Sequence, residues 1–170
     1  MKRQIDSTKR TLDYEIDFMV GPAAPSRIEL DFIHLMDDHY VALMPADHGL
    51  ANRKGVRIAD LMKHPFIVVT TPPSVRMELE RAFARSGQEL EAAYAAVNPS
   101  TIGGMVEAGL GITALPRLVI PALMTSSLRA IPIVRPAIMR KVGILRRANE
   151  PLAPTAEALV AAFRATIESA

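Results

Sequence analysis

From Glu15 onward the chain alternates short apolar, β-rich runs with longer stretches whose apolar residues recur at helical spacing. That is the signature of an α/β architecture. The run 16–20 (IDFMV) is stopped by Gly21-Pro22, and 39–45 (HYVALMP) reads as a strand before the loop ADHGLANRKG. Residues 58–63 predict a helix of one or two turns, and 65–70 (PFIVVT) a buried strand. The clearest helix is 74–86, because Val75, Leu79, Ala82 and Phe83 fall at i, i+4, i+7 and i+8 and make one apolar stripe. Ser74 is placed to cap its start, and Gly87 to supply the left-handed residue beyond its end.

A strand is predicted over 92–97, then a helix with Asn98 as cap, Pro99 in its first turn and Gly109 as terminator. Residues 111–116 (GITALP) predict a buried strand, 117–124 a helical segment, and 128–134 and 141–146 further strands. The chain ends in an amphipathic helix whose expected core stripe is Ala156, Leu159, Val160, Phe163 and Ile167, with Pro154 in the first turn. The order fits two α/β lobes with the chain crossing from one to the other and back. In such folds, loops at the carboxyl ends of the strands form a crevice for small ligands.

Composition narrows the function classes. A chain of 170 residues with 49% hydrophobic and 22% charged residues is long enough for a real core. The absence of cysteine excludes disulfides, thiolate metal sites and cysteine nucleophiles, and fits a reducing compartment. A formal charge of +2 is too small to advertise nucleic-acid binding. Arg135, Arg140, Lys141, Arg146 and Arg147 gather near the end of the chain and read as a solvated lobe surface. No stretch approaches the roughly 18 apolar residues of a membrane helix. Polar residues follow the basic start MKRQ where a secretion signal needs its apolar run. The expectation is a cytoplasmic protein without membrane contact.

Candidate catalytic chemistry is thin. His34, His39, His48 and His64 lack HExxH or similar ligand spacing. Asp37 and Asp38, as neighbours on an extended segment, would point to opposite faces, and Asp47-His48 sit in a turn-forming loop. Gly103-Gly104 and GLGI at 109–112 lack both the GxGxxG spacing and a P-loop lysine, and are better explained as a helix stop feeding a strand. No catalytic residue, metal or cofactor is expected.

Two polar helix starts carry more information: Thr70-Thr71-Pro72-Pro73-Ser74 and Asn98-Pro99-Ser100-Thr101, each between a strand and a helix. Helix N-termini offer free N–H groups and a positive dipole end, which suit a carboxylate or other anion. Either segment alone is explained by simple capping. Two in equivalent positions make a shared ligand crevice more credible.

Four segments closely resemble those of LysR-type effector domains: EIDFMVGP (15–22), YVALMPADHGLAN (40–52), IADLMKHPFIVV (58–69) and MVEAGLGITALPR (105–117). They stand in the family's order, and the resemblance covers about 14–169. It implies a periplasmic-binding-protein-like fold, one lobe from about 1–45 and 136–170 and a second from about 46–135. It also implies a small-molecule effector, a carboxylate among the candidates, bound between the lobes of a homo-oligomeric regulator. By position, Thr71, Pro73, Ser74, Ser100 and Thr101 match pocket-lining segments of the second lobe, and Gly21, just past the first-lobe strand, would face them. The family's winged helix-turn-helix and the opening strand and helix of the first lobe have no counterpart in this sequence. DNA contact is therefore expected only through a domain outside it. A solute-binding protein and a lyase or dehydratase share the scaffold as alternatives; the first would need a secretion signal, the second a convergent acid/base set.

Overall fold

The computed structural model describes residues 7–23 and 29–168. The chain divides into two compact units, one ending at Asp37 and resuming at Arg140, the other running from Asp38 to Met139. The divisions thus fall inside one long strand and near the start of another.

The first unit contains helix α1 (Ser7–Leu12), strand β1 (Phe18–Pro22), the opening part of β2 (Leu30–Pro45), nearly all of β7 (Met139–Arg147) and helix α5 (Pro154–Glu168). The predicted helical lead-in is present over α1; residues 1–6 lie outside the described ones. β1 runs antiparallel to β7, with Gly21 opposite Gly143, and β7 is flanked on its other side by β2. Gly143 is required there, because a Cβ would overlap the Ile33 carbonyl oxygen and stand 2.6 Å from the Phe32 ring. The expected stop at Gly21-Pro22 is instead the end of the strand itself. Proline is tolerated there because β1 is the outermost strand of the described sheet, where a missing N–H breaks no ladder.

The final helix lies where periodicity puts it, but only Ala156 and Val160 of the expected stripe are buried. Leu159 stays 51% exposed and Phe163 38%.

The second unit is built on strands in the order β6–β2–β5–β3–β4: β6 (Leu128–Pro132), the remainder of β2, β5 (Ile112–Pro116), β3 (Phe66–Val69) and β4 (Tyr94–Ala96). β2 is antiparallel to β5 and β6, whereas β3 is parallel to both β4 and β5. Every residue of β3 and β5 is buried, as expected for strands covered on both faces. Helices α2 (Ile58–Leu61), α3 (Pro73–Arg85) and α4 (Pro99–Glu107) supply the cover, with a 3-10 segment at Arg117–Ala122. Leu79 and Phe83 of α3 and Ile102 and Val106 of α4 pack into a core centred on Phe66, Ile67, Leu43 and Leu115. α3 and α4 stop where glycine was expected to stop them: Gly87 has φ 69° and Gly109 φ 75°.

Two buried polar groups are satisfied within this unit. Thr113 Oγ1 donates to the Ile67 carbonyl at 2.7 Å, and Asp38 accepts the Leu118 N–H at 3.1 Å. Asp37 points outward and pairs with His34 at 3.0 Å. The two aspartates diverge, as neighbours on an extended strand must.

Candidate functional site

The carboxyl ends of β3 and β4 lie side by side. Val69 is in register with Ala96, and Thr70 extends the pairing by donating its N–H to the Ala96 carbonyl at 2.9 Å and its hydroxyl at 3.3 Å. Each strand then turns directly into a helix. The starts of α3 and α4 are therefore neighbours at one edge of the second unit, and with them Thr71, Pro73, Ser74, Ser100 and Thr101.

Neither start is capped as expected. Pro72 holds the cap position of α3, so Ser74 is its second helical residue; Asn98 holds the cap position of α4 but makes no side-chain cap bond. In both, a proline opens the helix. Its fixed φ suits the first turn and its ring removes one of the otherwise orphaned donors, so a side-chain cap is less needed. The consequence is chemical. Among the described residues, the hydroxyls of Thr71, Ser74, Ser100 and Thr101 have no hydrogen-bond partner, nor do the N–H groups of Ser74, Ser100 and Thr101. Ser100 and Thr101 are exposed, while Thr71 and Ser74 are half-buried. Neither helix carries an acidic residue in its first turn. The edge therefore presents donors and two positive dipole ends, an environment for an anion rather than for acid–base chemistry.

Gly21 belongs to the first unit. It lies within β1 rather than just past it, because the ladder to β7 continues through Pro22 to the Ala23 N–H, which donates to Lys141 at 2.9 Å.

Sequence reasoning missed a histidine pair. His48 and His64 stack edge to face with ring centroids 4.5 Å apart, and His48 Nδ1 accepts the Leu50 N–H at 3.2 Å. Burial, then the charge of His64, lowers the His48 pKa below the ordinary histidine value, against a smaller opposing effect of Asp47. Separation along the chain left no motif to reveal the pair. Among the described residues, no group of three or more histidines and carboxylates is placed to hold a metal ion.

Arg146 and Arg147 are engaged within the first unit rather than solvated. Arg147 donates to the carbonyls of Thr11 at 2.8 Å and Ile16 at 3.0 Å, pairs with Glu150 at 2.6 Å, and lies 4.2 Å above the Tyr14 ring. Arg146 reaches Asp31 at 3.4 Å and the Glu150 carbonyl at 3.2 Å. They hold the first unit together.

The sequence model of the LysR substrate binding domain matches residues 4–168. This chain is a LysR substrate-binding domain. The YbhD regulator of Escherichia coli K12, an uncharacterised HTH-type transcriptional regulator, is 36% identical over 143 residues, spanning 84% of this chain and 45% of that protein. The chain thus covers about half the length of the curated relatives it matches. The regulatory domain of Synechocystis PCC6803 CcmR, solved with 2-PG, superposes with a TM-score of 0.83 at 20% identity, over 95% of this chain and 78% of the other. The effector-binding domain of QuiR, solved with shikimate, gives 0.81 at 15% identity, over 96% and 77%. These likenesses establish the periplasmic-binding-protein-like α/β fold of the LysR domain. Its relatives are described as transcriptional regulators, and no helix among the described residues is long and apolar enough to cross a membrane.

Proposed function

We propose that this domain senses a small anionic metabolite for a cytoplasmic, oligomeric LysR-type regulator, and that the paired starts of α3 and α4 supply the recognition. DNA contact, in this reading, belongs to another domain of the regulator. One observation carries the proposal: the β3–β4 ladder sets two proline-opened helix tips next to each other with their Ser and Thr hydroxyls uncommitted. The neighbours point the same way, since 2-PG and shikimate, each found with such a domain, are both small and acidic. Thr71 and Ser74 on one tip, and Ser100 and Thr101 on the other, would donate to the carboxylate, with Pro73 fixing the direction of α3. The reading rests on the second unit alone, so Gly21 is left out of it. An enzymatic role is disfavoured because these tips lack an acidic group to move protons.

The test is a thermal-shift panel of small carboxylates and hydroxy acids. A ligand that binds only the folded domain adds about 2.7 kcal/mol of stability at a concentration of 100 Kd. The Ser100→Ala, Thr101→Ala double variant should lose that shift while keeping the melting temperature of the free domain, since both residues are exposed. An undiminished shift in the variant removes the site from these tips. A well-folded domain that responds to nothing in a broad panel removes the sensing role.

A further inference from the structure

The second unit carries a concentration of positive charge at a different place. Past the end of β6, the segment 53–57 and residues 134–135 wall a cavity of about 600 Å3. Its charged lining is Arg53, Lys54, Arg57 and Arg135, against a single carboxylate, Asp60. That carboxylate is already occupied: it accepts the Arg57 N–H at 3.2 Å and lies 3.4 Å from Arg53 Nη1. Lys54 and the guanidinium groups of Arg57 and Arg135 have no carboxylate partner among the described residues. Like charges that converge on a hollow repel one another, and an anion in the hollow relieves that repulsion.

Three features separate this cavity from an ordinary solvated face. Its two walls are stitched together: the Val56 N–H donates to Pro132 at 2.9 Å and the Val134 N–H returns to Val56 at 2.8 Å. The cations therefore sit on a framework fixed before any ligand arrives, which lowers the cost of binding. Arg135, the residue at the rim, holds a left-handed backbone with φ 57°. Non-glycine residues avoid that conformation unless the surrounding structure imposes it, and such residues concentrate at functional sites. Arg135 also lines a neighbouring hollow of about 680 Å3 whose helical wall carries Arg81 and Arg85 beside a single carboxylate, Glu78, which accepts the Tyr40 hydroxyl at 2.6 Å. The positive lining thus continues from one hollow to the next.

We propose that this cavity is a second ligand site, built for a small phosphate-bearing polyanion of the pyrophosphate type. Guanidinium forks match phosphate oxygens in paired, charge-assisted hydrogen bonds, and several forks around one hollow favour a ligand with more than one phosphate. The site is separate from the helix tips, since β2 and β5 intervene between β6 and β3 in the sheet. Neither reading depends on the other.

The experiment is calorimetric titration of the whole chain with sodium pyrophosphate at constant ionic strength. Saturable one-site binding is expected. The Arg57→Gln, Arg135→Gln double variant should weaken it by about tenfold or more. Arg76→Gln, which removes a positive charge already paired with Glu80 on α3, should leave it unchanged. Lys54→Gln, at an exposed side chain, provides a single substitution that should also weaken binding if the double variant folds poorly. The proposal is overturned by no saturable binding, by equal affinity in wild type and the Arg57, Arg135 and Lys54 variants, or by these residues binding a DNA duplex while pyrophosphate does not bind.

Discussion

The two units solve the problem of holding a fold together in different ways. The second unit is an apolar solid: β3 and β5 are wholly buried, and Leu79, Phe83, Ile102 and Val106 close over them from α3 and α4. The first unit buries much less. Val142, Ile144 and Leu145 of β7 and Ala156 and Val160 of α5 are buried, while Leu159, Phe163 and Val20 remain exposed. In place of a thick core it has Arg147, whose side chain is 16% exposed and ties α1, the segment before β1 and the turn after β7 to one guanidinium. Hydrophobic burial is non-directional and tolerates repacking, whereas a hydrogen-bonded cation depends on each partner being present. The second unit should therefore be robust to polar substitutions, and the first unusually sensitive to one.

The largest effect tests the apolar half. Phe83 is fully buried and meets Phe66 edge to face at 5.6 Å between centroids. Phe83→Ala should cost about 3–5 kcal/mol of unfolding free energy in a denaturant titration. A loss below about 1 kcal/mol would mean that this core collapses around the gap and is not close-packed. The next effect tests the polar half. Arg147→Ala removes the hydrogen bonds to the Thr11 and Ile16 carbonyls and the ion pair with Glu150, and should cost about 1–3 kcal/mol. Hydrogen exchange should show the loss in β1 and β7 first, with β3 and β5 still protected. Uniform loss of protection across both units would erase the distinction between them.

The same contrast decides how much was legible in the sequence. In the second unit the signals were local: apolar runs marked β3 and β5, a four-residue stripe marked α3, and Gly87 and Gly109 marked the helix stops. The two helix tips were legible too, because strand-to-helix turns rich in Ser, Thr and Pro have a reason to exist. Their missing caps were not legible, since only the structure shows that proline, rather than Ser74, sets the start of α3. In the first unit the signals were weak. The opening half of β2, LDFIHLMD, mixes polar residues into both faces, so no alternation announced a strand. Arg146 and Arg147 read as surface charge because their partners, Thr11, Ile16 and Asp31, are more than a hundred residues away. The cationic cavity was invisible for the same reason: Arg53, Lys54 and Arg57 meet Arg135 only after folding. The helical-spacing stripe of α5 predicted a helix correctly but overstated its burial, because periodicity reports a face and not what lies beneath it.

The smallest effect concerns the loop of the second unit that holds His48. Burial and the neighbouring His64 hold the His48 pKa below its unfolded value, so the folded state favours the neutral ring, and Nδ1 in that form accepts the Leu50 N–H. For a histidine lowered in this way the stabilisation is complete above the unfolded pKa, near 6.5, and is lost as pH falls through the folded value. Unfolding free energy should accordingly fall on acidification below about pH 6.5. His48→Gln should flatten that part of the profile relative to wild type, while the far side of neutrality is unchanged. The direction is the discriminating feature: a domain that gains stability between pH 6.5 and 5, and loses the gain with His48→Gln, would require a carboxylate to dominate the ring and would turn this loop from a weak point into a clamp.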